Sequence, residues 1–399
     1  MNGAGAPAPL ERFRAAVMAD PRLQLELSRS YDPAAFVELA LARAGERGIV
    51  LDAGALRAEL RPDPLGLSRW AVRALAERWP EGDWLPVHLG VQGAPYVDWA
   101  HFGGAPLTDP FFEGAVLRAL AQPFNQAFHQ RMSVDRFVAE AAGREAHTPR
   151  GLIFHMSRCG STLVSQMLAA LPRSTVVSEA PAIDDALQLQ SAPGLSQPYA
   201  GLLPALASAL GRPRLGEPRD LFIKLDSWHA MALPRFRRAF PSTPWVFLYR
   251  DPLEVMVSQQ RQAGLQAVPG VLAAHIVGFE SEGMAGDDYC ARVLSRACEA
   301  AADQCGADGG LLVNYDELPD AVLTRILPHF GVAFDAADRA AMLAAAGRDA
   351  KAPDAAFRPD GEAKRREATP RLVELVERRM TPAYRRLEAL RAAQAPGAP

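Results

Sequence analysis

The stretch GLIFHMSRCGSTLVSQML, residues 151–168, passes from an apolar run through the short polar sequence SRCGS into apolar residues at helical spacing. The apolar run reads as a buried strand, and TLVSQMLAAL, stopped by Pro172, reads as a helix. Between them the chain must turn sharply. Successive backbone N–H groups in such a turn, leading into a helix N-terminus, form a cradle for an anion that the helix dipole reinforces. Gly160 allows close backbone approach, and Ser157, Ser161 and Thr162 offer hydroxyls. Cys159 lies within the turn, and Arg158 supplies a guanidinium that can fork onto phosphate or sulfate oxygens. The loop lacks the first Gly and the Lys of the ATP-binding pattern G-x-x-x-x-G-K-[ST]. A phosphate-like group is the natural guest, although a plain tight turn would carry the same residues.

The segments downstream repeat this alternation. STVVS, DLFIKL, PWVFLY and GLLVNY read as further strands, with stretches between them long enough for crossover helices. The fold class is therefore α/β, a P-loop-like parallel sheet flanked by helices and preceded by a mostly helical region. Ligands of such sheets bind beyond the carboxyl ends of the strands. A second motif lies at one of those ends. In PWVFLYRDPLEVMVSQ, Asp251 suits an N-cap and Pro252 the first helical position, with Arg250 closing the strand and Ser258 inside the helix. Arg250 and Ser258 can hold a second phosphate beside the first cradle. Two anion grips fit a nucleotide bearing phosphates at both ends.

Composition narrows the classes of function. The 399 residues carry a formal net charge of −3 and are 49% hydrophobic, so no global field draws in nucleic acid or an acidic membrane. No apolar run approaches the roughly 18 residues of a membrane helix. The start, MNGAGAPAPL, lacks the basic and apolar segments of a secretion signal, and the expected location is cytoplasmic. Four cysteines in this length do not make a disulfide framework. Cys290, Cys298 and Cys305 recur at near-helical intervals without the close pairs of a zinc site, so no metal is expected. Nothing in the sequence fixes the oligomeric state.

Three zones precede or contain these motifs. In residues 1–62, LERFRAAVMADPRLQLEL and DPAAFVELALARAGERGI place apolar residues at intervals of three and four, each opened or broken by Asp-Pro, as in a small helical bundle. The segment resembles the Nif11-like leader domain, a helical module of peptide-tailoring systems. Residues 63–147 are rich in Trp, Pro, Gly and Phe and read as an irregular linking region, followed by helices from Gly114 through Ala142. Asp98 and His101 there read as structural, because an iron triad also needs a distant second His in a fitting scaffold. Residues 148–399 form the α/β domain.

From about Arg150 onward the chain resembles the sulfotransferases that use 3'-phosphoadenylyl sulfate (PAPS), including those of bacterial type. SRCGSTL is similar to their 5'-phosphosulfate loop, and FLYRDPLEVMVSQ to their 3'-phosphate motif. LLVNYDELPDAVLTRILPHFGV is similar to a later tyrosine-acidic segment. The resemblance implies that Ser157, Arg158, Cys159, Gly160, Ser161 and Thr162 hold the 5' end, Arg250 and Ser258 the 3'-phosphate, and that Tyr315 lies against the adenine pocket. It further implies transfer of a sulfuryl group from PAPS to a hydroxyl or amine of a small-molecule, sugar or peptide acceptor. The product would be 3'-phosphoadenosine 5'-phosphate (PAP), and no metal would be required.

Two departures alter that picture. Arg158 stands where many members carry Lys, and an arginine stabilises charge rather than passing a proton. The carboxy-terminal Arg-Lys-Gly signature of cytosolic members is absent, and FRPDGEAKRREAT offers Arg358, Lys364, Arg365 and Arg366 in its place or as a solvated basic helix start. Glu179, after STVVS, resembles the glutamate base of the tyrosylprotein and carbohydrate branches, with a carboxylate at a helix N-terminus as the alternative reading. Asp226 and His229 are rival bases. Lys224, Trp228 and His155 read as packing or pocket wall. Cys159 as a nucleophile would require the reverse of the order in a phosphatase loop. Two other readings stay open, an ATP-dependent phosphotransferase with Asp226 on magnesium and a non-catalytic nucleotide-binding scaffold with a peptide partner.

Overall fold

The computed structural model describes residues 7–60, 75–191, 199, 201–214, 220–308, 310–348 and 361–394. The amino-terminal helices Pro9–Met18, Pro21–Leu27, Pro33–Glu46 and Ala53–Glu59 follow the expected pattern. Asp20 and Asp32, each followed by Pro, cap a helix by accepting backbone N–H groups, which is why the Asp-Pro pairs mark helix starts, and Asp52 caps the fourth helix ahead of Ala53.

The region expected to be irregular contains a sheet instead. Strands β1 (Trp84–Gln92), β2 (Ala94–His101) and β3 (Gln130–Ser133) form an antiparallel ribbon in that order. The register slips between Pro86 and His88, and such a bulge removes the strict alternation by which a strand is recognised. Likewise β3 interrupts the helices expected from Gly114 through Ala142, separating Pro123–Ala127 from Val134–Ala142. Asp98 forms a buried two-pronged pair with Arg131, at 2.7 and 2.9 Å, while His101 packs edge-on against Trp84. Both are structural.

All five strands expected in the α/β part form. They are β4 (Gly151–His155), β5 (Ser174–Ser178), β6 (Asp220–Lys224), β7 (Trp245–Tyr249) and β8 (Leu311–Asn314). They pair in parallel in the order β5-β6-β4-β7-β8. The chain leaves central β4 towards one edge and then crosses to β7 on its other side. That reversal opens a crevice at the carboxyl end of β4, where SRCGS lies. Two helices, Pro370–Arg379 and Thr381–Ala393, follow near the carboxy terminus and are separated at Met380, ahead of Pro382. Among the described residues, no helix is long and apolar enough to cross a membrane.

The hydrophobic core is continuous across the three zones. Phe128 sits against Phe13, Phe36 and Phe124, at ring separations of 5.9, 6.3 and 4.8 Å. Trp84 donates its indole N–H to Gln24 at 3.0 Å. On the other side of the ribbon, Asp185 of the Pro181–Ser191 helix accepts Leu89 N–H at 2.9 Å and lies 2.7 Å from His88 Nδ1. Arg212 donates to the carbonyls of Pro80, at 2.9 Å, and Trp84. Phe128→Ala is expected to destabilise the whole chain by about 3–5 kcal/mol, in one transition on denaturant titration. A separate early transition of the amino-terminal region would contradict the shared core.

Candidate active site

The loop after β4 is held in an unusual backbone conformation. Ser157, Arg158 and Gly160 all have positive φ, at 75°, 53° and 85°. Ser157 N–H donates to His155 Nδ1 at 3.0 Å, and its hydroxyl accepts from Gln259 at 3.1 Å and Gln266 at 3.3 Å. Arg158 Nη2 donates to the Gln262 carbonyl at 2.6 Å, and burial, only partly offset by the charge of Glu179, lowers its affinity for its proton. The first turn of the Ser161–Ala169 helix then presents the N–H groups near Ser161 and Thr162. This is a cradle lined with donors.

Gly160 is required twice over. Its φ is left-handed, and a Cβ there would come within 2.7 Å of Leu318 and 2.9 Å of the Tyr315 ring. Cys159 faces inward, donates its thiol to the Leu248 carbonyl at 3.1 Å, and is pushed up to about 12 by burial. A thiol so placed stays protonated and is no nucleophile.

The second motif converges on the same place. Asp251 caps the Pro252–Arg261 helix, as expected. Arg250 is buried, with Nε and Nη2 at 2.6 and 2.5 Å from Glu254 Oε2, and its guanidinium lies 3.9 Å over the Tyr315 ring. Arg158, Arg250, Ser258, Tyr315 and Lys364 all line one cavity of about 970 Å³. Arg365, by contrast, turns to Glu254 at 2.7 Å and does not line it. Arg358 lies outside the described residues. Glu254, which sequence reading passed over, thus orders two arginines. Its i,i+4 spacing from Arg250 was the available signal. Arg348 also lines the cavity, with nothing in the sequence to single it out.

The three candidate bases have different surroundings. Glu179, itself left-handed at φ 53°, lines the cavity with one oxygen 2.5 Å from Lys224 Nζ and 3.3 Å from His155 Nε2. Burial pushes its pKa up, but the Lys224 charge and His155 outweigh that and hold it well below the usual carboxylate range. Asp226 also lines the cavity and caps a short 3-10 helix through Ser227 N–H at 2.6 Å. Burial, then the charge of Glu179, raises its pKa. His229 is 1% exposed and does not line the cavity. Its Nδ1 accepts Asp226 N–H at 3.2 Å, and its Nε2 faces Asp184 at 3.1 Å. Both nitrogens are engaged, so His229 fixes the turn that carries Asp226.

The segment that carries the donor-lined loop, the second basic grip and these carboxylates is similar to known proteins. Residues 152–336 match the model of the Sulfotransferase family. The matched segment includes the cradle, Glu179, Asp226, Arg250, Ser258 and Tyr315, and stops before Arg348 and Lys364. Among solved structures, the chain is similar to the sulfotransferase STF9 from Mycobacterium avium, at 12% identity, 61% coverage of this chain and 81% of that one, with a TM-score of 0.36. It is also similar to the sulfotransferase domain from the curacin biosynthetic pathway, at 14% identity, covering 64% and 100%, with a TM-score of 0.36. A third is the sulfotransferase STF1 from Mycobacterium tuberculosis, at 17% identity, 60% and 78%, with a TM-score of 0.33. No curated protein matches the chain.

Gly160→Ala places a side chain in a left-handed position worth about 1–2 kcal/mol of strain and drives it into Leu318 and Tyr315. It is expected to lower stability by at least that amount in denaturant titration. Wild-type stability would mean that the turn can relax and that the cradle is not rigid.

Proposed function

We propose that this protein transfers a sulfuryl group from PAPS to a hydroxyl or amine of an acceptor. The observation that carries the reading is the convergence of two anion grips, Arg158 with the turn and Arg250 with Ser258, on one cavity. The family match over residues 152–336 supports sulfuryl transfer as the reaction. In this reading Arg158 and the cradle N–H groups stabilise the charge that grows on the departing 5'-phosphate. Arg250, stacked on Tyr315, Ser258 and Lys364 hold the 3'-phosphate. The acceptor oxygen or nitrogen attacks sulfur, the bond from sulfur to the bridging oxygen breaks, and its electron pair leaves with PAP.

The acceptor's proton needs a base. Glu179 is the counter-ion of a fully buried ammonium, and protonating it would leave Lys224 unpaired, a large penalty. Among the described residues no Lys or Arg pairs with the Asp226 carboxylate, and a proton there relieves a charge that burial and Glu179 disfavour. Asp226 therefore receives the proton in this proposal, and Glu179 stays ionised. The amino-terminal resemblance to the Nif11-like leader domain supports a peptide as one acceptor class to assay, beside sugars and small hydroxylated molecules.

Calorimetric titration with PAP, beside ADP and ATP with magnesium, tests the donor. PAP is expected to bind tightest, and Arg250→Ala to weaken it at least tenfold. Preference for ATP with magnesium would overturn the reading and make Asp226 a metal-ligand candidate. With an accepted substrate, Asp226→Asn is expected to lower kcat about a hundredfold or more while leaving PAP affinity within a few-fold. Unchanged kcat would remove Asp226 as the base.

A further inference from the structure

Lys224 does not line the cavity, yet it touches both functional halves of its wall. At the carboxyl end of β6 its Nζ lies 2.5 Å from Glu179 Oε1 and donates at 3.4 Å to Thr162 Oγ1 of the cradle. The Phe111 ring lies over it at 4.7 Å, and its side chain has no exposure to solvent. An ammonium so enclosed requires a counter-charge, and Glu179 supplies it.

The converse matters for anion binding. Glu179 shares the cavity with Arg158, and its charge is felt by Arg158 and Asp226 alike. At that position an uncompensated carboxylate would repel an incoming phosphosulfate and compete with it for Arg158, through a medium where charges act strongly. The pairing register makes compensation automatic. Ser178 of β5 lies opposite Lys224 of β6, so the residue after Ser178 meets the lysine where both strands end.

We propose that Lys224 is a positioning residue that neutralises Glu179, allowing an anionic donor into a cavity walled by a carboxylate, and that ties this carboxylate to the cradle through Thr162. The inference rests on the reading of the cavity as the nucleotide site. Calorimetric titration of the full chain with PAP separates the two. Lys224→Met is expected to weaken PAP at least tenfold, and adding Glu179→Gln to restore affinity to within about threefold of wild type. Glu179→Gln alone, which leaves the ammonium in excess, is expected to tighten PAP about threefold or more. A lysine needed only for packing would show no such rescue. Wild-type affinity in Lys224→Met, or a loss that Glu179→Gln does not relieve, overturns the proposal. If Lys224→Met does not fold, the Glu179→Gln arm decides, and unchanged or weaker binding there overturns it. Failure of the wild type itself to bind PAP would instead refute the nucleotide reading.

Discussion

Everything at this site depends on a backbone reversal at the end of one strand. Between β4 and the helix that follows, Ser157, Arg158 and Gly160 adopt left-handed conformations, and only the glycine does so without strain. The other two persist because neighbours hold them. His155 takes the Ser157 amide, two glutamines grip its hydroxyl, and the Gln262 carbonyl holds Arg158. The Cys159 thiol anchors the turn to β7. The cradle is thus shaped as much by the segment after Arg250 as by its own sequence.

Much of this was legible in the sequence, and what was missed has physical causes. Parallel strands buried on both faces read as unbroken apolar runs, so all five stood out. The β1 to β3 ribbon did not, because its first strand carries a bulge and its turn at Gly93 sits among aromatic residues. Arg250 and Ser258 were found because an N-cap and a proline fix the helix start, and with it their phase. Lys364 and Arg365 could not be told apart in that way. They are neighbours on one short helix, and only its rotation sends the first into the cavity and the second to Glu254.

Contacts between distant residues were the least readable. Lys224 and Glu179 are 45 residues apart, and nothing local in either segment announces the pair. It follows from strand order, with β5 beside β6, and from a register that aligns their ends. His229 shows the opposite limit. Three residues after Asp226 it closes a capping box, a spacing visible in the sequence, but a histidine beside a strand end draws attention as an acid or base before it does as a cap.

The contact between Asp185 and β1 bears on how such a protein can be assembled or recombined. Asp185 lines the cavity, yet its carboxylate is held by Leu89 and His88, well upstream of the segment that carries the family pattern. Lys364, which also lines the cavity, lies downstream of that segment. The stretch that matches the family model is therefore shorter than the stretch that makes the pocket. Transplanting residues 152–336 onto a foreign amino-terminal half would carry over the motifs and leave part of the wall without its support. The pocket, lined from Phe111 to Lys364, draws on more of the chain than its motifs do.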